Sequence, residues 1–521
     1  MTVKVSSIGL MGLEGYRVQV QVQISSGTES MVIVGLPDAS VKESKERVLS
    51  AIRTLNCDVT DQKIVVNLSP SEQKKNGPLF DLAIAIGVLI ETGELKGNVP
   101  ETIGFIGALS LDGTIEKVEG MLPALVAAKT LGYRKVYLPF DPLIPLDMIE
   151  GLECVVVQHI KEVVQHLDGQ ELLPLRKVNQ ERVLPACNHK FDRDFSHIIG
   201  QRHAKEAMEV AAAGEHNVLM SGPPGCGKSM LAETFPSILP PLDKKSQLEV
   251  ISLYQLAKEK RLYPQIAPFR HPHHSASSVA MIGGGSYPKP GEISLAHRGV
   301  LFLDEMAEFS KKTLDMLRQP LETGRVTISR VHSTVTYPAS FIFLAAVNPC
   351  PCGYLGSNTH YCTCTQKNIQ AYQNRISGPV FDRIDILLFL KPVNLTHTTP
   401  ETTSDEILGR VIRARERQYE RYQEPVCNGK VAMEKLLATS PLKEPQLNMI
   451  KNAAFKHHWS NRVQMKIIRL ARTISDLHGN AEITEESIWK AMTLRGTQGQ
   501  VPCPSPISNN LLLVNNLIAS K

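Results

Sequence analysis

The sequence predicts an α/β chain of three parts: an N-terminal α/β domain, a second domain of αβα layering around a phosphate-binding loop, and an α-helical lid. Three observations carry this. A length of 521 residues suits about three domains. Residues 222–229 follow an apolar strand pattern and open a helical one, the strand–loop–helix setting of a parallel sheet. Beyond residue 404 the apolar period is that of helices. The expected boundaries are 1–170 for the first domain, 171–195 for a polar linker, 196–395 for the core, 396–500 for the lid and 501–521 for a loose tail.

In the first domain, residues 16–24 alternate apolar and polar side chains, as a half-buried strand does, and 31–34 is a strand expected to pair with it. Residues 38–55 read as an amphipathic helix capped by Asp38 or Ser40. A strand over 63–68, a buried helix over 79–92 and a strand from 105 into a turn at Asp112 and Gly113 follow. A helix over 122–131 and a strand over 135–138 close the unit. In the core, 216–220, 299–303 and 341–347 are short apolar strands, 229–235 is a helix, and 322–337 reads as a β-hairpin. The lid shows helical patterns over 404–423, 445–457, 461–478 and 484–494, the last opened by Thr484, Glu485 and Glu486.

The chemistry concentrates in two motifs. Gly222, Pro223, Pro224, Gly225, Cys226, Gly227, Lys228 and Ser229 spell G-x-x-x-x-G-K-[ST]. Glycines let such a loop turn its backbone N–H groups around phosphate oxygens, and the lysine reaches the β/γ-phosphates while the hydroxyl ligates Mg²⁺. With Met230 in the following turn, these residues form the expected cofactor cradle. Residues 299–305 are an apolar strand ending in Asp304 and Glu305. Asp304 is placed to hold Mg²⁺, and Glu305 to orient and deprotonate the attacking water. An isolated acidic strand end is commonly a plain turn. Beside a phosphate loop it points to a nucleoside triphosphatase using ATP and Mg²⁺.

Composition narrows the setting. A net charge of +5 and 5% aromatics allow local nucleic-acid patches without arguing for them. Ten cysteines in so long a chain do not form a secreted disulfide framework. The N-terminus lacks an apolar export segment, and the best apolar run, 82–90, falls short of the roughly 18 residues of a membrane span. The expectation is a cytoplasmic protein with no membrane partner.

Further residues carry a family resemblance. Asn348, Pro349, Cys350, Pro351, Cys352 and Gly353 follow the second motif, and then come Ser377, Gly378, Pro379, Asp382, Arg383, Ile384 and Asp385 ahead of the helical lid. With the His-rich stretch 268–278, the glycines 283–285 and the stretch 290–299, this order resembles AAA+ ATPases. More narrowly it resembles the magnesium-chelatase-like YifB/ComM family, over nearly the whole chain. The resemblance implies a homo-hexameric ring that helps integrate incoming single-stranded DNA by branch migration during natural transformation. It gives Asn348 the sensor-1 role, Arg383 the role of an arginine finger acting on a neighbouring subunit, and Arg462 the role of sensor 2, with Arg469 and Arg472 as weaker candidates. An intrachain pair with Asp382 or Asp385 is the alternative for Arg383. The interval between Lys228 and Asp304 holds an insert resembling a pore-facing hairpin. Arg270, His271, His273, His274 and Lys289 offer positive charge there, and Arg270 and Lys289, with Arg330 and His332 on the 322–337 hairpin, are candidates for DNA phosphate contact, against the plainer reading of solvated loops. A protein-remodelling or chelatase-type motor is the alternative function.

Cys350, Cys352, Cys362 and Cys364 offer four thiolates for a closed structural Zn²⁺ site. The one-residue spacing within each pair departs from the usual two to four, so unmetallated thiols and redox chemistry stay open. Residues 63–139 resemble the Lon protease domain. The stretch Gly77, Pro78, Leu79 carries Leu79 where Lon-type proteases carry the nucleophilic serine, and 119–128 lacks the catalytic lysine. A Ser–Lys dyad needs both groups, so a binding or assembly module without peptidase activity is expected.

Overall fold

The computed structural model describes residues 3–95, 99–170, 191–260, 264–285, 288–330, 333–356, 360–392 and 402–496. Most of the expected linker, residue His332 and the expected tail lie outside these residues.

The first domain contains β1 (Val3–Met11), β2 (Glu14–Ser26), β3 (Ser30–Val34), α1 (Ala39–Arg53), β4 (Gln62–Ser69), α2 (Asp81–Glu91), β5 (Ile103–Phe105), β6 (Ala108–Leu109), β7 (Ile115–Glu116), α3 (Met121–Thr130), β8 (Lys135–Leu138), β9 (Glu153–Val156) and α4 (Ile160–Leu167). Its main sheet runs β3-β4-β2-β1-β5-β8-β9. The alternation in β2 buries Val18, Val20 and Val22 on one face. The apolar run of α2 is buried from Asp81 to Leu89, because this helix lies against β1 and β2. Asp38 caps α1, accepting from the Val41 N–H at 2.8 Å.

One pairing differs from expectation. The 31–34 strand does not pair with 16–24. β4 inserts between them, antiparallel to β2 and parallel to β3. β2 already has β1 on its other edge, so β3 crosses over through α1 to the outer edge of β4. The sequence reading also missed β1, β9 and α4.

The core contains α5 (Arg202–Gly214), β10 (Val218–Ser221), α6 (Lys228–Thr234), α7 (Lys244–Ala257), β11 (Phe269–Arg270), α8 (Ser278–Ile282), β12 (Gly283–Gly284), β13 (Lys289–Pro290), α9 (Glu292–Leu295), β14 (Val300–Leu303), α10 (Lys311–Met316), α11 (Arg318–Thr323), β15 (Arg325–Arg330), β16 (Ser333–Pro338), β17 (Ile342–Val347), α12 (Gln366–Gln373), α13 (Gly378–Phe381) and β18 (Ile386–Phe389). Its sheet is parallel throughout, in the order β11-β14-β17-β10-β18. β14 and β17 are buried along their whole length, which is why they read as unbroken apolar runs. The chain leaves β10 for the far edge and returns to its other side, so the carboxyl ends of β10, β14 and β17 border a topological switch point, where such sheets bind ligands.

Two small hairpins, β12–β13 and β15–β16, stand off this sheet. They lean together: the Tyr337 hydroxyl donates to the Pro288 carbonyl at 2.6 Å. The lid follows as α14 (Ser404–Tyr422), α15 (Met433–Thr439), α16 (Glu444–His457), α17 (Asn461–Leu477) and α18 (Glu485–Leu494). Thr403 and Glu406 close α14 with a reciprocal capping box. Among the described residues the first domain touches the core along α7 and at the β15–β16 hairpin. The Leu122 N–H donates to Gln255 on α7 at 3.3 Å, beside the Lys258–Glu119 ion pair. The β1–β2 turn at Gly12 and Leu13 packs on Val335 and Tyr337 of β16. Among the described residues no helix is long and apolar enough to cross a membrane.

Candidate functional site

β10 ends at Ser221, and the chain turns through Gly222–Gly227 into α6. Gly225 and Gly227 take φ of +78° and +91°, and a Cβ built on either meets no atom within 4 Å. The loop therefore uses a backbone that L-residues avoid and leaves open space in front of it. Gly222 is required for a different reason: a Cβ there would sit 2.7 Å from the Leu390 carbonyl oxygen. Lys228 is 9% exposed and folds over the loop, donating to Gly222 O at 2.7 Å and Pro223 O at 3.0 Å.

β14 brings Asp304 to the same place. The Ser229 hydroxyl donates to Asp304 Oδ2 at 2.7 Å. β17 delivers Asn348, whose Oδ1 accepts from Lys228 Nζ at 3.1 Å. Strands distant in sequence thus place lysine, hydroxyl, carboxylate and amide around one opening. A hydroxyl and a carboxylate oxygen converging beside a glycine cradle fit an oxygen-loving cation such as Mg²⁺ with its phosphate ligands. Glu305 is exposed at the rim with its backbone in the left-handed region, φ +47°. That is uncommon for a non-glycine residue and turns the chain sharply out of the sheet. His274 Nδ1 lies 3.9 Å from Glu305 Oε2.

The arginines sit elsewhere. Arg383 forms an ion pair with Glu322 at 2.8 Å, a partner different from the Asp382 or Asp385 anticipated for an intrachain pair. Arg462 is largely exposed and lies 3.9 Å from Asp382, so the two candidate arginines share one corner. Among the described residues neither is bonded to Lys228, Ser229, Asp304 or Glu305. Arg469 and Arg472 hold the lid together instead of reaching the site. Arg469 donates to the Asn428 and Gly429 carbonyls, and Arg472 is buried against Asp476. Arg270 also needs correction. It lies on β11 in the main sheet, outside the insert hairpin, and Glu292 and Glu259 clamp it at 2.6 and 2.8 Å. The same carboxylates hold its guanidinium well above the ordinary range against the opposing effect of burial. Lys289 and Arg330 are exposed on the paired hairpins, and Arg330 reaches over Gly284. His271 is exposed, with its ring tilted against Phe302 at a centroid distance of 4.7 Å.

The four clustered cysteines converge. Their sulfurs all lie within 4.8 Å of one another, with separations of 3.3, 3.7 and 3.6 Å among Cys350, Cys352 and Cys362. Tetrahedral Zn–S bonds of about 2.3 Å place sulfurs about 3.8 Å apart, so the set fits zinc. The Leu355 N–H points at Cys350 Sγ from 3.3 Å. A backbone N–H from Tyr354 is the main reason the Cys352 thiol is lowered to about 6, while burial pushes Cys350 up. Sequence reasoning overlooked Gln201, which ties the cradle to the strand beyond it by donating to Cys226 O at 3.2 Å and Lys391 O at 2.8 Å. Its position directly after Gly200, ahead of a helix, was the available signal.

A parallel sheet of this order, with a glycine cradle on β10 and a carboxylate pair ending β14, is the core of an AAA+ protein, and the helices beyond 404 are its lid. Comparison with known proteins gives the family. Residues 194–398 match the model described as magnesium chelatase, subunit ChlI; residues 20–142 match subunit ChlI of Mg-chelatase; and 401–495 match the ChlI C-terminal model. The chain is 36% identical to the uncharacterized protein YifB of Escherichia coli, covering 93% of this chain and 95% of the relative. It is 37% identical to the competence protein ComM of Haemophilus influenzae, over 93% and 96%. Lon protease 2 of Bacillus subtilis matches at 29% identity over 24% of this chain and 22% of its own length. The chain belongs to the YifB/ComM family of magnesium-chelatase-like AAA+ proteins.

Proposed function

We propose that this chain is an ATP-hydrolysing ring motor that acts on DNA as a helicase or branch-migration factor for DNA taken up in competence. One observation carries the hydrolytic part: Ser229, Asp304, Lys228 and Asn348, from three different strands and loops, meet within hydrogen-bonding distance around a glycine cradle. In this reading Lys228 releases its loop carbonyls to meet the β/γ-phosphates, and Ser229 and Asp304 hold Mg²⁺. Asn348 orients the attacking water, and Glu305 accepts its proton. Arg383 stabilises developing charge on a nucleotide held by a neighbouring copy, which calls for a homo-oligomer, a hexameric ring by family analogy, and Arg462 serves as sensor 2 from the lid. Zn²⁺ closes the cysteine loop and takes no part in hydrolysis, since four thiolates leave no open position.

The DNA part rests on the two hairpins that present Lys289 and Arg330 side by side, a sequence-independent phosphate contact, and on the competence relative. The setting is the cytoplasm. Buried Leu79 stands where a peptidase needs a hydroxyl, so the first domain serves as a docking module. The family models, named for a chelatase subunit, favour a second reading, a protein-remodelling motor without DNA action.

The test is Glu305→Gln. It should retain ATP binding and lose turnover by about 10²–10⁴-fold, the usual contribution of a positioned base; unchanged turnover removes Glu305 from that role. Wild-type turnover should rise with single-stranded or branched DNA at low salt and lose that rise as salt increases. DNA indifference across the titration favours protein remodelling.

A further inference from the structure

We infer that the four-cysteine loop is a metal-dependent buttress of the phosphate loop, so that the metal state of the cysteines sets nucleotide affinity. The inference rests on reading residues 222–229 as the nucleotide cradle and adds a control to it. Three contacts carry it. The cysteine loop begins at Asn348, which is bonded to Lys228 at 3.1 Å. Its Gly353, between Cys352 and Tyr354, has φ +83°, and a Cβ there would stand 2.8 Å from Pro224 Cδ in the phosphate loop. The loop ends in α12, tied back by Gln373 Nε2 donating to Pro349 O at 3.4 Å.

The cysteine loop is therefore pressed against the cradle at Pro224 and bonded to its lysine through Asn348. What holds it in that position is the sulfur cluster. Cys350 is buried, but Cys352, Cys362 and Cys364 are partly exposed, so the loop has little apolar core of its own. Closing four ligands around one ion removes the chain entropy that an unmetallated loop retains. Space for the alternative arrangement exists. An apolar cavity of about 90 Å³ borders the two ends of the loop, lined in part by Ser221, Val347, Asn348, Pro349, Tyr372 and Gln373. A loop released from its ion can relax into that space, withdrawing Gly353 from Pro224 and Asn348 from Lys228. The consequence is a weaker hold on the β/γ-phosphates with no change in the residues that touch them.

The experiment measures zinc stoichiometry and the binding of a non-hydrolysable ATP analogue on the full-length protein. Stripping zinc with a chelator should weaken analogue binding by about tenfold, a coupling typical of contacting networks, and zinc alone should restore it. Cys362→Ser with Cys364→Ser, remote from the cradle, should reproduce the loss without rescue by zinc. Gly353→Ala should keep its zinc and still bind the analogue several-fold more weakly. Adding Pro224→Ala should recover most of that loss, because it clears the atoms the new Cβ meets. Backbone strain at a left-handed position would not be relieved that way, so recovery separates contact from strain. The Gly353 and Pro224 pair also decides the matter if the cysteine variant does not fold. Affinity unaffected by chelation, failure of the protein to take up zinc, or additive effects of Gly353→Ala and Pro224→Ala each overturn the inference while leaving the nucleotide site standing. Wild type that holds zinc but binds no analogue overturns the cradle reading and this inference with it.

Discussion

Asp476 is fully buried in α17 and accepts hydrogen bonds from Arg421, Arg472 and Asn428. Arg472 is itself fully buried, with further donations to the Ala481 and Asn480 carbonyls. One carboxylate thus serves two guanidiniums, and among the described residues neither arginine has another acidic partner. Asp476→Ala leaves two largely desolvated cations without an acidic partner, and removal of one member of such a cluster costs about 3–5 kcal/mol. The expected outcome is a lid that unfolds at lower denaturant, measured by equilibrium unfolding; a variant as stable as wild type means that water reaches these groups. The same residue-scale logic governs what could be read in the sequence. Lys228, Ser229, Asp304 and Glu305 are legible because their spacing within each motif is fixed by local backbone geometry. Arg469 and Arg472 misled because residue type and helix position do not say which way a guanidinium is bonded.

At the scale of elements, α7 is pinned to the start of β14. Glu249 accepts from His297 at 3.1 Å and from Arg298 at 3.0 Å, just ahead of the strand that delivers Asp304. Burial alone would raise the Glu249 carboxyl, but these two donors outweigh it and hold it at about 2. A carboxyl lowered in the folded state adds stability that is complete above its unfolded value, near 4.5, and is lost as pH falls towards 2. Between pH 6 and 3, wild type should therefore lose about 1–3 kcal/mol more stability than Glu249→Gln. Parallel slopes for the two proteins in acid unfolding would mean that the pair is solvated. Element existence was largely readable: α1, α2, β8, β17 and α16–α18 lie close to their expected bounds, because each has strong periodicity or a clear cap. Pairing was not. β3 was assigned to β2 on proximity in sequence, yet β4, which lies beyond an intervening helix, takes that edge.

At the scale of the molecule, the first domain is seated on α7 and the β15–β16 hairpin of the core. Gly12, at φ +67°, would place a Cβ 2.5 Å from Val335 Cγ1, whereas Gly132, at φ +82°, faces open space. Alanine at either position suffers the same left-handed strain, but only Gly12→Ala collides with the hairpin. It should destabilise the chain by about 1–3 kcal/mol more than Gly132→Ala, the range for overpacking, read from the two unfolding midpoints; equal effects would mean that the two units do not press together there. The three-part α/β and helical plan, the phosphate cradle and the carboxylate pair were set by the sequence itself, since local periodicity and short-range motif geometry survive without knowledge of partners. Which strand joins which, the meeting of Asn348 with Lys228, the clamping of Arg270 and the approach of Gly353 to Pro224 were decided only by the tertiary structure. These depend on contacts between residues far apart in the chain, and such contacts exist only once the sheets have closed.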